Sequence, residues 1–284
     1  MKKSMIEFHD VSFRYKNSDV WNLRDVEFKI DKGERVLIVG PTGCGKTTLC
    51  RMINGLIPKF YSGEMKGEVF LDGLNTRYNP ISKLAKIAGY VFQNPEDMLI
   101  SLNVEKEIAF GLENLAYPPQ EMRNVVEEMI SLLSIEHLRY KSPYELSGGE
   151  KQLVAIASVL ALKPKVLIMD EPTANLDPKT AKMMLSIVDE ICRKMNITLI
   201  LIEHRLDLVI PYVDRVLLMK DGMVIKDTKI SDFLEIENLG DYGVSPPKVA
   251  KLFLTLRKVR GELKSYPIPK DVKECVDLLR RIMG

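Results

Sequence analysis

Gly40-Pro41-Thr42-Gly43-Cys44-Gly45-Lys46-Thr47 sets glycines, a lysine and a hydroxyl in the pattern GxxxxGK[ST] directly after the apolar run Arg35-Val36-Leu37-Ile38-Val39. Glycines at 40, 43 and 45 let the backbone curl with its N–H groups pointing inward, and a following helix adds the positive partial charge of its N-terminus. Lys46 then reaches the outer phosphates of a nucleotide, Thr47 offers its hydroxyl to Mg²⁺, and Thr48 continues the same cradle. Far along the chain, Val166-Leu167-Ile168-Met169 leads into Asp170-Glu171, so a buried strand would deliver two carboxylates where open α/β sheets bind ligands. Asp170 suits Mg²⁺, commonly through water, while Glu171 projects the other way and could polarise a water for attack on a γ-phosphate, as a general base or a positioning group. Taken alone, the pair reads equally well as surface acid at a strand end.

Leu146-Ser147-Gly148-Gly149-Glu150-Lys151-Gln152 is a second candidate. Ser147 with Glu150 three residues later is a capping box opening the apolar helix from Leu153, and Gly148 and Gly149 leave its first N–H groups bare, which makes an anion site. A well-capped helix without a ligand has the same signature. His204 closes the run Thr198 to Ile202 and its Glu203; of the three histidines it alone ends an expected sheet strand, and His9 and His137 are assigned to structure or surface.

The elements that must hold these groups follow from periodicity. Ile6 to Tyr15 and Val26 to Ile30 are rich in β-branched and aromatic residues and predict antiparallel strands. Runs 35–39, 166–169 and 198–202 are apolar without alternation, as strands buried on both faces are, and Pro178 to Met195 reads as the helix between the last two. From about Asn94 to Lys163 the pattern turns helical, with Pro119 to Leu133 and Leu153 to Leu162 clearest, predicting a helical subdomain inserted into the sheet domain. Asp72-Gly73 and Asp221-Gly222 are two-residue hairpin turns. Beyond Gly243, Ser245 with Pro246 at the first position predicts one helix, with Val249, Leu252, Phe253 and Leu256 on one face, and Val272 to Ile282 predicts a second.

Composition narrows the classes. The 284 residues are 46% hydrophobic and 28% charged with a formal charge of +2, so no global field points to nucleic acid or to an anionic membrane. Cys44, Cys50, Cys192 and Cys275 lie far apart with no CxxC pair, which disfavours zinc or a disulfide framework and fits a reducing compartment. Residues 1–10 are charged and lack the apolar core of a signal peptide, and the longest apolar stretches fall short of a membrane span.

LSGGE, between the phosphate loop and the carboxylate strand, resembles the signature motif of ATP-binding cassette (ABC) proteins. The resemblance spans about Ile6 to Lys226 with the family's motifs in order. It implies an α/β fold of P-loop ABC type, with a mixed sheet, an N-terminal antiparallel β subdomain, the inserted helical subdomain and a small C-terminal helical extension (residues 1–242 and 243–284). Tyr15 is similar to the aromatic that stacks on adenine. Gln93, in Val91-Phe92-Gln93-Asn94-Pro95, resembles the glutamine that touches Mg²⁺ and senses the membrane partner, Asn175-Leu176-Asp177 the loop that lies across the subunit interface, and His204 the switch histidine at the γ-phosphate. Residues Ser147 to Gln152 would close over ATP held by the phosphate loop of a second subunit, so MgATP hydrolysis would need a like or unlike pair.

The wording Gln93-Asn94-Pro95-Glu96-Asp97, Ala109 to Asn114, Glu203-His204-Arg205-Leu206-Asp207 and the Pro246-Pro247 tail looks like the ATPase of energy-coupling factor transporters. That implies vitamin or transition-metal uptake through a transmembrane coupling protein and a substrate-binding membrane subunit, from the cytoplasmic face, with membrane contact through those partners and no nucleic acid. An ATPase for another solute class is the alternative. A DNA-repair cassette would insert a long coiled coil between Thr47 and Ser147, and a translation-type protein would carry two cassettes.

Overall fold

A computed structural model describes residues 4–283. Strands β1 (Ser4–Tyr15), β2 (Leu23–Asp31), β4 (Gly63–Leu71) and β5 (Leu74–Asn75) form an antiparallel sheet in the order β2-β1-β4-β5. A second sheet runs β10-β9-β3-β8-β7-β6, where β3 is Arg35–Val39, β6 Ala88–Val91, β7 Val166–Asp170, β8 Thr198–Ile202, β9 Arg215–Lys220 and β10 Met223–Lys229. Its strands pair in parallel except for β10, which turns back through Asp221-Gly222, both at positive φ as a two-residue hairpin requires.

The central strands read as unbroken apolar runs because both faces are covered. Side chains alternate across a strand. Leu37, Leu167, Met169, Leu199 and Leu201 belong to a core shared with the helices, while Val36, Ile38, Val166, Ile168, Ile200 and Ile202 face the antiparallel sheet and α1 (Lys46–Ile53). Short helices α2 (Leu56–Lys59) and α3 (Ile81–Ala85) follow α1.

The helical region expected between about 94 and 163 contains α4 (Val104–Asn114), α5 (Pro119–Leu132) and α6 (Gly148–Leu160), after which come α7 (Pro178–Met195), α8 (Leu206–Val209) and α9 (Ile230–Leu234). No helix among the described residues is long and apolar enough to cross a membrane.

The two tail helices are α10 (Lys248–Val259) and α11 (Val272–Met283). Ser245 does not cap α10, contrary to the sequence expectation. Pro247 stands at its cap with extended backbone (φ −56°, ψ 138°), and Lys248 N–H donates to Asp207 Oδ1 at 2.8 Å. A proline restricts the residue before it to extended geometry, so Pro246 could not start a helix ahead of Pro247. Ala250, Phe253, Leu263, Ile268 and Cys275 join the same buried cluster as Leu208, Val209 and Phe233 of the main domain. Burying Phe253 there contributes about 2 kcal/mol. The tail is thus docked on the body of the chain, with Arg257 bonded to Glu235 at 2.6 Å and Lys258 to Glu237 at 3.1 Å.

Candidate active site

The phosphate loop leaves β3 at Val39 and enters α1. Gly40 (φ +153°) and Gly45 (φ +105°) are required: a Cβ on Gly40 would lie 2.2 Å from the Met219 carbonyl oxygen, and one on Gly45 2.5 Å from that of Asn22. Gly45 caps α1 without a side-chain bond, so the first helical N–H groups stay available to an anion. Lys46, 5% exposed, arches back over the loop, its Nζ donating to Gly40 O at 2.8 Å and Pro41 O at 2.9 Å. Thr42 and Gly43 form the tip between them, and Cys44 N–H closes a turn onto Pro41 O at 3.3 Å. Burial pushes the Cys44 thiol up in pKa despite Lys46, so Cys44 packs here and supplies no thiolate. Tyr15, at the end of β1, sets its hydroxyl 3.1 Å from Thr48 Oγ1, which brings it to the mouth of the loop.

Strand β7 delivers the carboxylates. Asp170 is 4% exposed; its Oδ2 accepts from Tyr90 OH at 2.8 Å, and its Oδ1 is buried with no partner among the described residues. Burial, then the neighbouring Cys50 and Asp170, hold the Tyr90 phenol far above its ordinary range, so it stays a donor. A buried carboxylate oxygen lacking a donor is costly unless a cation or its water satisfies it. Asp170, Thr47 and Gln93 line one cavity of about 410 Å³ together with Arg51, Tyr61 and Phe92. This all-oxygen set fits Mg²⁺.

Glu171 points elsewhere. Its backbone lies in the left-handed region (φ +47°), a conformation rare for a residue with a side chain, held by N–H donation to Ile202 O at 2.9 Å. Its Oε2 accepts from Gln93 Nε2 at 3.0 Å and its Oε1 lies 3.2 Å from His204 Nε2. Three residues from three separate stretches therefore meet at one carboxylate, that of the residue directly after Asp170. Sequence reading by itself gave Gln93 no strand. That strand is β6, whose Gly89 admits Val159 of α6 so closely that a Cβ would lie 2.2 Å from Val159 Cγ1.

At α6 the capping box forms as expected. Ser147 N–H donates to Glu150 Oε2 at 2.7 Å, Glu150 N–H to Ser147 Oγ at 3.4 Å, and the Ser147 bonds hold the Glu150 carboxyl below its usual range. Gly149 packs on α7, where a Cβ would meet Thr180 Cγ2 at 2.6 Å. Ser147, Gly148 and Gly149 share a cavity of about 450 Å³ with Leu176, Asp177 and Thr180, and no residue of 40–48 lines it. The structure therefore does not bring the signature loop to the phosphate loop within one chain. Asp177 caps α7, accepting from Lys179 N at 2.9 Å and Thr180 N at 3.1 Å. Gln152 is buried and faces a different cavity, beside Gln93, Asn94 and Asn175. His9 sits by Glu7, away from these groups, whereas His137 lies at the capping box, its Nε2 3.8 Å from Glu150 Oε1 on an exposed side chain.

Sequence reasoning named no role for Glu203, yet it is 3% exposed and accepts from Thr173 N at 3.2 Å, Thr173 Oγ1, His204 N at 2.7 Å and Arg205 N at 3.1 Å. The available signal was an acidic residue at the very end of an apolar strand.

Residues 23–174 match the family pattern described as ABC transporter. A presumed ABC transporter ATP-binding protein of Pyrococcus horikoshii is 41% identical over 98% of this chain and 97% of its own length. One of Pyrococcus abyssi is 42% identical over 90% and 91%. Among solved structures, CbiO1 of Clostridium perfringens, described as part of the ABC transporter complex CbiONQ, superposes with a TM-score of 0.76 at 30% identity, covering 92% of this chain and 98% of that one. An ATP-binding cassette solved as a dimer in a post-hydrolysis state with ADP and Pi superposes with a TM-score of 0.70 at 28% identity, covering 80% and 99%.

Proposed function

The chain belongs to the ABC transporter family as an ATP-binding, ATP-hydrolysing subunit, and we propose that it drives an energy-coupling factor importer for a vitamin or a transition-metal ion. The hydrolytic role rests on Glu171 held between Gln93 and His204 beside Asp170. In this reading Gly40 to Thr48 grip the phosphates of ATP and Tyr15 takes the adenine. Thr47, Asp170 and Gln93 would hold Mg²⁺, which supplies charge neutralisation at the β- and γ-phosphates. Glu171 orients and deprotonates the attacking water, and His204 steadies both Glu171 and the γ-phosphate. The importer assignment is supported by the likeness to CbiO1 and by the wording around Gln93 and Glu203-His204-Arg205. Purification of the complex from membranes, with identification of its integral subunits, tests it; a small substrate-binding membrane protein beside a coupling protein is expected, and a pair of dedicated permease domains alone would overturn it.

Ser147 and Gly149 lie in a cavity apart from residues 40–48, so the site is completed by a second cassette subunit whose signature loop closes on this ATP. Ser147→Arg is expected to abolish steady-state hydrolysis, by about 100-fold or more, while the isolated subunit keeps its nucleotide affinity. Nucleotide affinity lost in the monomer would contradict completion in trans.

The tail adds a pairing surface in the same reading. Val259 (80% exposed) and Leu252 of α10, and Val272 (65% exposed) and Val276 of α11, leave apolar side chains facing outward at helical spacing. A second cassette subunit is the occupant proposed. Val259→Glu with Val272→Glu should weaken subunit pairing about tenfold in analytical ultracentrifugation without lowering the melting temperature of the monomer. Unchanged pairing would remove the tail from the interface.

A further inference from the structure

Glu203 is a buried carboxylate that no step of hydrolysis uses, and its acceptors are filled from two directions. Oε1 takes the backbone N–H and the hydroxyl of Thr173, and Oε2 takes the N–H groups of His204 and Arg205. Arg205 completes a second tie in the same direction: its Nη1 donates to Thr173 O at 2.9 Å and to Leu176 O at 2.8 Å. The stretch so gripped runs from Glu171, whose carbonyl accepts from Ala174 N–H at 3.2 Å, to Asp177, the cap of α7. Glu203 and Arg205, the residues on either side of His204, are therefore fastened to the loop that begins at Glu171 and ends beside the signature cavity.

We infer that Glu203 and Arg205 form a clamp that sets the separation of His204 and Glu171, which makes Glu203 and Arg205 positioning residues for hydrolysis. This rests on the reading of His204 as the group that steadies Glu171. The geometry explains how a carboxyl group is accommodated where only 3% of the residue is exposed, since both of its oxygens are matched by donors. Buried charge-assisted hydrogen bonds have short, narrow wells, so a carboxylate with four donors fixes two backbones more tightly than an apolar contact would. His204 Nε2 lies 3.2 Å from Glu171 Oε1, and a drift of about 1 Å there would break the contact. The clamp also couples the loops: displacement of Leu176 or Asp177 by a neighbouring subunit would be passed to His204 through Thr173 rather than absorbed.

The test uses Glu203→Gln, Thr173→Val and Thr173→Ser in the full chain, each with and without His204→Ala. Glu203→Gln puts an NH₂ group against donors, and Thr173→Val removes one donor while keeping the buried shape. Both should lower kcat about tenfold with KM for MgATP and nucleotide Kd within about twofold, whereas Thr173→Ser should stay near wild type. Adding Glu203→Gln or Thr173→Val to His204→Ala should cost nothing further, because both act through the same histidine. Wild-type kcat in Thr173→Val, an equal loss in Thr173→Ser, or losses that multiply with His204→Ala would overturn the clamp while leaving the role of His204 standing. A wild-type rate in His204→Ala itself would overturn the reading of that residue, and the clamp with it.

Discussion

Glu171→Gln is expected to lower steady-state ATP hydrolysis about 1000-fold, with nucleotide binding retained and the subunits accumulating as an ATP-bound pair. The substitution keeps the length of the side chain, and glutamine tolerates the left-handed backbone at φ +47° no worse than glutamate does. What changes is charge and acceptor count at one point. Gln93 Nε2 and His204 Nε2 converge on the carboxylate at 3.0 and 3.2 Å, and an amide satisfies one of them while offering the attacking water no base. Binding should survive because the cavity of Thr47, Gln93 and Asp170 does not include Glu171. Phosphate release under MgATP, with size-exclusion chromatography of the same sample, measures both effects. Undiminished turnover would remove Glu171 from the chemistry.

The parts of this site that the sequence discloses are those written in consecutive residues. The phosphate loop needs glycines, a lysine and a threonine in one stretch; the carboxylate strand needs four apolar residues and two acids; the capping box needs Ser147 and Glu150 one turn apart. Each obeys a local rule, and each is where those rules put it. The sheet strands 35–39 and 198–202 and the helix 178–195 likewise keep their expected bounds, because both faces of the strands and one face of the helix are covered by the core.

What stays hidden depends on contacts between distant stretches. Ala88–Val91 is too short and too small to announce itself, and becomes a strand by pairing with β7 and by the close approach of Val159 at Gly89. Without that strand nothing in the sequence aims Gln93 at Glu171, a residue far along the chain. Tyr90 and Asp170, or Glu203 and Thr173, are equally remote in sequence, and the resemblance to a family names only the first-rank groups they support. At the tail the local rule itself misleads: Ser245-Pro246 has the right residue types for a helix start, but a second proline follows and moves the start to Lys248.

Lys46→Ala carries the other large effect, and it separates binding from folding. In the chain by itself the Lys46 ammonium is 5% exposed, and its acceptors among the described residues are neutral: the carbonyls of Gly40 and Pro41 and, at 4.0 Å, Cys44 Sγ. A buried charge without a counter-charge is costly, so its removal should leave the ligand-free melting temperature unchanged or higher. With nucleotide the balance reverses. The ammonium faces the most highly charged part of ATP, where charge-assisted bonds are worth about 1.5–3 kcal/mol each, so its loss should weaken affinity about 100-fold or more. Thermal denaturation with and without MgATP reads both signs in one experiment. At a concentration about 100 times its dissociation constant, nucleotide stabilises the wild-type chain by about 2.7 kcal/mol, and the same concentration should leave the variant almost unshifted. A variant that melts early without nucleotide yet keeps the full ATP-induced shift would make Lys46 a structural strut of the loop instead of its phosphate ligand.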